Sequence, residues 1–274
     1  MPSLNRKHSF FTARSPASIL FVLSFLLAAC GGSTATPGGG GGEATSAPTA
    51  APGAGGGSGL CASDFYPVVM GATWTYSGTG PTGAFSWTST ITDVSETSFT
   101  LTNQFDELVT TQQWSCTAQG LAALQYGSGP EATLSATGVS GVFETTDTSG
   151  VSFPVHVSAG DTWEQSFTIH GDMQIADEIT ASADGDVIQS YVAVGIEPIT
   201  VSAGSFDAMK IDATITFDLV INMGEGLTVP MNFSSVTTNW WVAGVGWVKS
   251  DSSATIEGGE PIVALTELQS FSIP

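Results

Sequence analysis

Positive charge is nearly missing from this 274-residue chain: five Lys and Arg stand against 25 Asp and Glu, a formal net charge of −20. Arg6, Lys7 and Arg14 fall in the first fourteen residues, so everything beyond residue 29 carries only Lys210 and Lys249 against all 25 acids. Such a surface repels phosphate backbones, which excludes nucleic acid as a partner, because affinity there comes largely from Lys and Arg. Docking of the folded part onto anionic lipid is excluded on the same ground. The acids do not assemble into a calcium loop either, since no spaced Asp-x-Asp-x-Asp-Gly run occurs. Asp184-Gly185-Asp186 reads as a turn.

Catalytic signatures are also missing. There is no Gly-x-Ser-x-Gly elbow, no phosphate-cradling glycine loop and no His-Glu-x-x-His. Histidine is scarce: His8, His156 and His170 are the three. A metal site built from the last two with Asp161 or Asp172 is the sharper reading. Isolated histidines in strands are more often surface side chains, so no metal and no cofactor is assigned. With so many acids, accidental carboxylate pairs are unavoidable and no glycosidase dyad can be singled out. The expectation is a protein that is not an enzyme, with a hydrolase of unrecognised site as one alternative.

No apolar run is long enough to cross a bilayer. The longest, Ile19 to Ala29 broken by Ser24, is about half of the roughly 20 residues a spanning helix needs. Placed after Arg6, Lys7 and Arg14, it reads as a signal sequence over residues 1–29. Its end, Leu27-Ala28-Ala29-Cys30, resembles the lipobox of bacterial lipoproteins. The resemblance implies that Cys30 becomes the N-terminus and carries a diacylglyceryl group, often with a third acyl chain. Each buried methylene contributes about 0.8 kcal/mol, so two or more chains anchor stably. Gly31 stands where some lipoproteins carry an Asp that retains them in an inner membrane. The implied place is the cell envelope, lipid-anchored on the outer side of the cytoplasmic membrane or in the outer membrane. A plainly secreted protein with an incidental cysteine is the alternative.

With Cys30 committed to lipid, Cys61 and Cys116 remain, in a chain that has left the reducing cytosol. They are expected to pair. The bridge would contribute about 4 kcal/mol in the chain-entropy model. Two buried free thiols are the alternative. Residues 31–59 are almost all Gly, Ala, Ser, Thr and Pro with one charge, Glu43. They cannot form a core and read, with Cys30, as a flexible tether over 30–59, with a reach of about 30 Å. The folded domain is then 60–274, with two candidate halves at 60–150 and 151–274.

Period-two alternation dominates that domain. Ile211, Ala213, Ile215, Phe217, Leu219, Ile221 and Met223 share one face, with Asp212, Thr214, Thr216, Asp218 and Asn222 on the other. Phe85, Trp87, Ser89 and Ile91 alternate in the same way, as do Phe99, Leu101, Asn103 and Phe105. No window supports an amphipathic helix of normal length. The class is all-β and antiparallel, with one face wet. Self-similarity is also present. Tyr66-Pro67-Val68 leading to Gly71-x-x-Trp74 returns as Phe153-Pro154-Val155 leading to Gly160-x-x-Trp163, and Trp114 followed by Gly120-Leu121 returns as Trp240 followed by Gly246-Trp247. Two similar halves sharing one sheet are expected; common turn grammar in a Gly- and Trp-rich chain is the alternative.

Three stretches carry a family resemblance: Tyr66-Pro67 with Gly71-x-x-Trp74-x-Tyr76, Val201-Ser202-Ala203-Gly204-Ser205-Phe206, and Trp241-Val242-Ala243-Gly244-Val245-Gly246-Trp247-Val248-Lys249. Across most of residues 65–272 the chain resembles bacterial envelope β-sheet proteins of unknown function, DUF3108-like or related to the LolA/LolB lipoprotein carriers. The resemblance implies a strongly curved antiparallel sheet, an open or half barrel with an apolar concave face, and transfers no catalytic residue. A ligand groove would then be lined by Phe85, Trp87, Ile91, Phe99, Leu101, Phe105, Ile211, Ile215, Phe217, Leu219 and Ile221. The seven tryptophans read first as packing for the core and hairpin ends, with a sugar-binding platform as the alternative. The expected function is a membrane-anchored, non-enzymatic lipoprotein that binds an apolar small molecule or an envelope protein on its curved sheet. A structural or adhesive surface domain without a groove is the competing reading.

Overall fold

The computed structural model describes residues 59–80, 83–106, 108–127, 131–136, 139–175, 179–255 and 262–274. Cys30, the leader and the tether up to residue 58 lie outside the described residues. A 3-10 turn at Gly59–Cys61 precedes fourteen strands. These are β1 (Thr73–Gly80), β2 (Gly83–Val94), β3 (Ser98–Phe105), β4 (Leu108–Cys116), β5 (Gly120–Ala123), β6 (Glu131–Ala136) and β7 (Val139–Gly150). They continue with β8 (Phe153–Pro154), β9 (Thr162–Ile175), β10 (Ile179–Val201), β11 (Gly204–Asn222), β12 (Thr228–Val242), β13 (Gly246–Thr255) and β14 (Ile262–Ser272).

All fourteen belong to one antiparallel sheet in the order β6-β7-β9-β10-β11-β12-β13-β14-β1-β2-β3-β4-β5-β8. The sheet is strongly curved and not closed, an incomplete barrel with β6 and β8 at its edges. Side-chain alternation drives the curvature, because each strand turns its apolar residues to the same concave side. On β11, Ile211, Phe217, Leu219 and Ile221 are all buried while Thr214, Thr216 and Asp218 face solvent. On β3, Phe99, Leu101 and Phe105 are buried in the same rhythm. Val201 pairs with Gly204, so the Ser202-Ala203 step is a two-residue hairpin joining the two longest strands.

The curved sheet is drawn together at a seam. Val151 still donates its N–H to Glu164 O of β9 (3.1 Å), but the next N–H, from Ser152, goes to Leu121 O of β5 (2.9 Å). One segment therefore crosses from the third strand of the order to the thirteenth. Gln165, on β9 and fully buried, reinforces the crossing. Its Nε2 donates to Ala123 O (2.7 Å) and to Thr148 Oγ1 (3.2 Å), and its Oε1 accepts from the Ser152 hydroxyl. The Ser152 Oγ in turn accepts from Ala123 N at 3.0 Å.

Two readings of the sequence are corrected. Asp184-Gly185-Asp186 is not a turn but the middle of β10, paired on one side with Asp218, Leu219 and Val220 of β11 and on the other with Thr168, Ile169 and His170 of β9. The glycine is there because β11 comes too close for a side chain: a Cβ would stand 2.0 Å from Asp218 O. The second correction concerns the repeated phrases. They fall on corresponding elements, Trp74 on β1 and Trp163 on β9, Trp114 on β4 and Trp240 on β12. Yet Thr237, Asn239 and Trp241 alternate toward the cavity, which leaves Trp240 on the other side of β12, where its Nε1 donates to Glu197 Oε1 (2.6 Å) and its ring lies under Lys249 Nζ (5.6 Å). Trp241 faces inward instead, so it is the inward counterpart of Trp114.

Candidate functional site

The chain enters the domain through its interior. Cys61 and Cys116 form a disulfide, with Cα atoms 4.9 Å apart, that fastens the first described turn to the end of β4. Five residues on, Tyr66 inserts among Trp74, Phe99, Trp114 and Trp241, with ring centroids 5.5 to 6.4 Å away. Beside this ring cluster the concave face encloses a cavity of about 490 Å³. Six of the seven tryptophans line it, namely Trp74, Trp87, Trp114, Trp163, Trp241 and Trp247. They pack the core and form a cavity wall at the same time, since each ring has two faces.

The cavity has two chemically different sides. From β1 and β2 comes an aromatic side in which Tyr76 stacks on Trp87 (4.9 Å), and Trp87 continues onto Phe85 (5.7 Å) and Phe105 of β3 (5.5 Å). Gly78 makes room for Phe85, because a Cβ there would stand 2.6 Å from its ring. Several polar ends of these rings are held by backbone: Trp74 Nε1 donates to Val245 O (2.6 Å), Tyr76 Oη to Trp247 O (3.0 Å) and Trp163 Nε1 to Ser152 O (3.0 Å). Trp87 Nε1 donates to Ser89 Oγ (3.1 Å), which donates to Asn103 Oδ1 (2.6 Å). Burial pushes the hydroxyls of Tyr66, Tyr76, Tyr126 and Tyr191 far up, and the neighbouring Tyr66 adds to the effect on Tyr76, so all four stay protonated.

The other side is polar and uncharged. In register across β12, β13 and β14 lie Asn239, Ser250 and Thr266, and one step along lie Thr237, Ser252 and Ala264. All six line the cavity. Neighbours in such rows sit about 5 Å apart, close enough to act on one ligand. No described residue hydrogen-bonds to the side chains of Asn239, Ser250 or Thr266. Trp114 also lines the cavity, with its Nε1 buried and without a hydrogen-bond partner among the described residues. Among the described residues no Asp, Glu, Lys, Arg or His lines the cavity.

Of the groove residues named from sequence, Phe85, Trp87, Leu101, Phe105 and Ile211 line the cavity. Ile91 and Phe99 are buried in the core but do not line it, and Ile215, Phe217, Leu219 and Ile221 belong to the packed interior farther along β11. The two hydroxyl and amide rows were not legible, because Ser250 and Ser252 lie in the run Lys249-Ser250-Asp251-Ser252-Ser253, polar on both faces. The signal that finds them is their alternation with Val248, which points inward from the same strand. His156 pairs with Asp64 (2.9 Å) and His170 with Asp184 (2.5 Å), both exposed, apart from each other and outside the cavity. Among the described residues no three His, Cys, Asp or Glu come close enough to hold a metal ion.

Comparison with known proteins adds little beyond this geometry. No family model and no curated protein matches the sequence, so the DUF3108-like and LolA/LolB-like resemblance gains no further support. Three solved structures are similar at low level. A protein taken to be a lipoprotein, from Parabacteroides distasonis, is 12% identical, with 77% of this chain and 99% of that one covered at a TM-score of 0.40. An exported protein with a YmcC-like fold, from Bacteroides fragilis, has the same identity and coverage at 0.42. The hypothetical lipoprotein YmcC of Escherichia coli is 7% identical, with 74% and 85% covered at 0.34. At this distance no role is transferred.

Proposed function

We propose that this chain is an envelope lipoprotein, exported, cut before Cys30 and held by lipid on that cysteine, whose curved sheet binds a small uncharged molecule rather than transforming it. The observation that carries the reading is the cavity of about 490 Å³, a size typical of small-molecule sites, walled by six tryptophans and, among the described residues, free of charged side chains. A filled core of the same strands would have needed only larger inward residues at positions such as Ser250, Ser252 and Ala264. Binding without chemistry is favoured because the lining offers, among the described residues, no carboxylate, imidazole or amine to move a proton. The mature surface, with two lysines against 25 acids, gives the domain no affinity of its own for anionic lipid, so the anchor at Cys30 accounts for membrane attachment.

Two measurements test the reading. Protein extracted from membranes and examined by native mass spectrometry should carry a non-covalent small molecule, or take up the neutral dye N-phenyl-1-naphthylamine with a change in tryptophan emission. A protein that does neither has a cavity without a ligand, and the binding reading fails. Cys30→Ser should move the protein from the membrane fraction to the soluble one; retention in the membrane would refute the anchor.

A further inference from the structure

Resting on the cavity being a binding site, we infer that its ligand class is a neutral carbohydrate, and that the Asn239–Ser250–Thr266 row supplies its hydrogen bonds. Three observations point there together. Among the described residues the lining is free of charge of either sign in a chain that carries 25 acids, so an ionised ligand would enter without a counter-charge and lose its hydration uncompensated. A purely apolar chain fits no better, because it would cover the polar groups of Asn239, Ser250 and Thr266 and give them nothing in return. What remains is a neutral molecule that is apolar on one face and rich in hydroxyls along its edge.

The distribution of polar groups separates a sugar from a flat heterocycle. A heterocycle presents one or two hydrogen-bonding atoms at fixed points, whereas here donors and acceptors run in two consecutive rows across β12, β13 and β14. A pyranose meets that pattern with successive hydroxyls while its C–H face lies on the electron-rich face of an aromatic ring. Phe85, Tyr126, Trp163, Tyr191, Trp241 and Trp247 are the lining aromatics left partly uncovered, with Trp163 and Tyr191 stacked at 5.2 Å. The volume admits about one or two sugar rings. The row is the most specific clue: Asn239, Ser250 and Thr266 line the cavity and their side chains have no hydrogen-bond partner among the described residues. Polar groups of that kind are satisfied by partners brought in from outside.

The test uses the full mature chain in phospholipid nanodiscs, avoiding glycoside detergents, and reads binding by calorimetry and tryptophan emission. The probes are lactose, maltotriose, N,N′-diacetylchitobiose and an array of neutral glycans, with digalacturonic acid, palmitate and N-phenyl-1-naphthylamine beside them. At least one neutral glycan should bind, digalacturonic acid should not, and Thr266→Val, which keeps the shape and removes the hydroxyl, should weaken the glycan about tenfold while leaving the dye unaffected. Asn239→Leu should have a similar effect, which guards against misfolding of one variant. Glycan binding that neither variant changes places the sugar elsewhere and overturns the inference. Uptake of dye or palmitate with no glycan bound overturns it while leaving the cavity a binding site, and failure of every probe removes both.

Discussion

Replacing Gln165 with Leu should loosen the seam of the incomplete barrel, and the size of the loss follows from what Gln165 touches. The side chain is fully buried and makes three hydrogen bonds, to Ala123 O, to Thr148 Oγ1 and from the Ser152 hydroxyl. Each contributes about 1 kcal/mol net, and the Ala123 carbonyl is left buried without a side-chain partner, which adds about 1 to 3 kcal/mol. Leu is close to Gln in volume, so little cavity forms, and its extra apolar burial returns about 1 kcal/mol. The expected loss is about 3 to 5 kcal/mol, read as a lower urea midpoint with an unchanged slope. Hydrogen exchange should quicken at Ser152, whose N–H crosses to Leu121, and at Ala123, more than on β11. Ser152→Ala combined with Gln165→Leu should cost less than the sum, because the two share a bond. A Leu variant within 0.5 kcal/mol of the parent, on the scale expected for a neutral surface change, would refute the claim that this side chain holds β9 to β5.

Gly185→Ala should destabilise by about 2 kcal/mol or more, since its Cβ would stand 2.0 Å from Asp218 O and 2.8 Å from Leu219 Cα; an unchanged thermal midpoint would show that β10 and β11 can part there without cost. Removing the bridge with Cys61→Ala and Cys116→Ala should lower the unfolding free energy by about 4 kcal/mol, the chain-entropy value for cysteines 55 residues apart, and a loss under about 1 kcal/mol would mean that the unfolded chain is not constrained by it. His170 should titrate above its ordinary value of 6.5, first because Asp184 hydrogen-bonds to it and then because the charges of Asp184, Asp172 and Glu144 surround it. Its folded value is the higher one, so whatever stability it lends is complete below about pH 6.5 and is lost as pH rises through the raised value. Proton NMR of the imidazole should show Asp184→Asn returning it toward 6.5, and a titration that Asp184→Asn does not move would refute the pairing.

Local grammar carried the strands because period-two alternation is written residue by residue. Ile211 to Ile221 announce both a strand and its buried face. Where two strands approach unusually closely the grammar misleads. Asp184-Gly185-Asp186 carries turn residues, but the glycine answers a steric demand from β11, a partner more than thirty positions away. Trp240 and Trp241 show the same limit on a smaller scale, since the recurring tryptophan-to-glycine spacing points to Trp240, whereas alternation along β12 puts Trp241 on the cavity side with Thr237 and Asn239.

The sequence by itself determined the class, an all-β domain, because composition and periodicity act within a few residues of each position. It also determined the poverty of positive charge, which no folding can change. Only the tertiary structure decided which apolar faces meet. It placed Phe85, Trp87, Leu101, Phe105 and Ile211 around a cavity and left Ile91, Phe99 and the far half of β11 as plain core. It also brought Trp114 from β4 to the same cavity as Asn239, Ser250 and Thr266 from three other strands, since the distance across a curved sheet depends on the curvature and register of all its strands together.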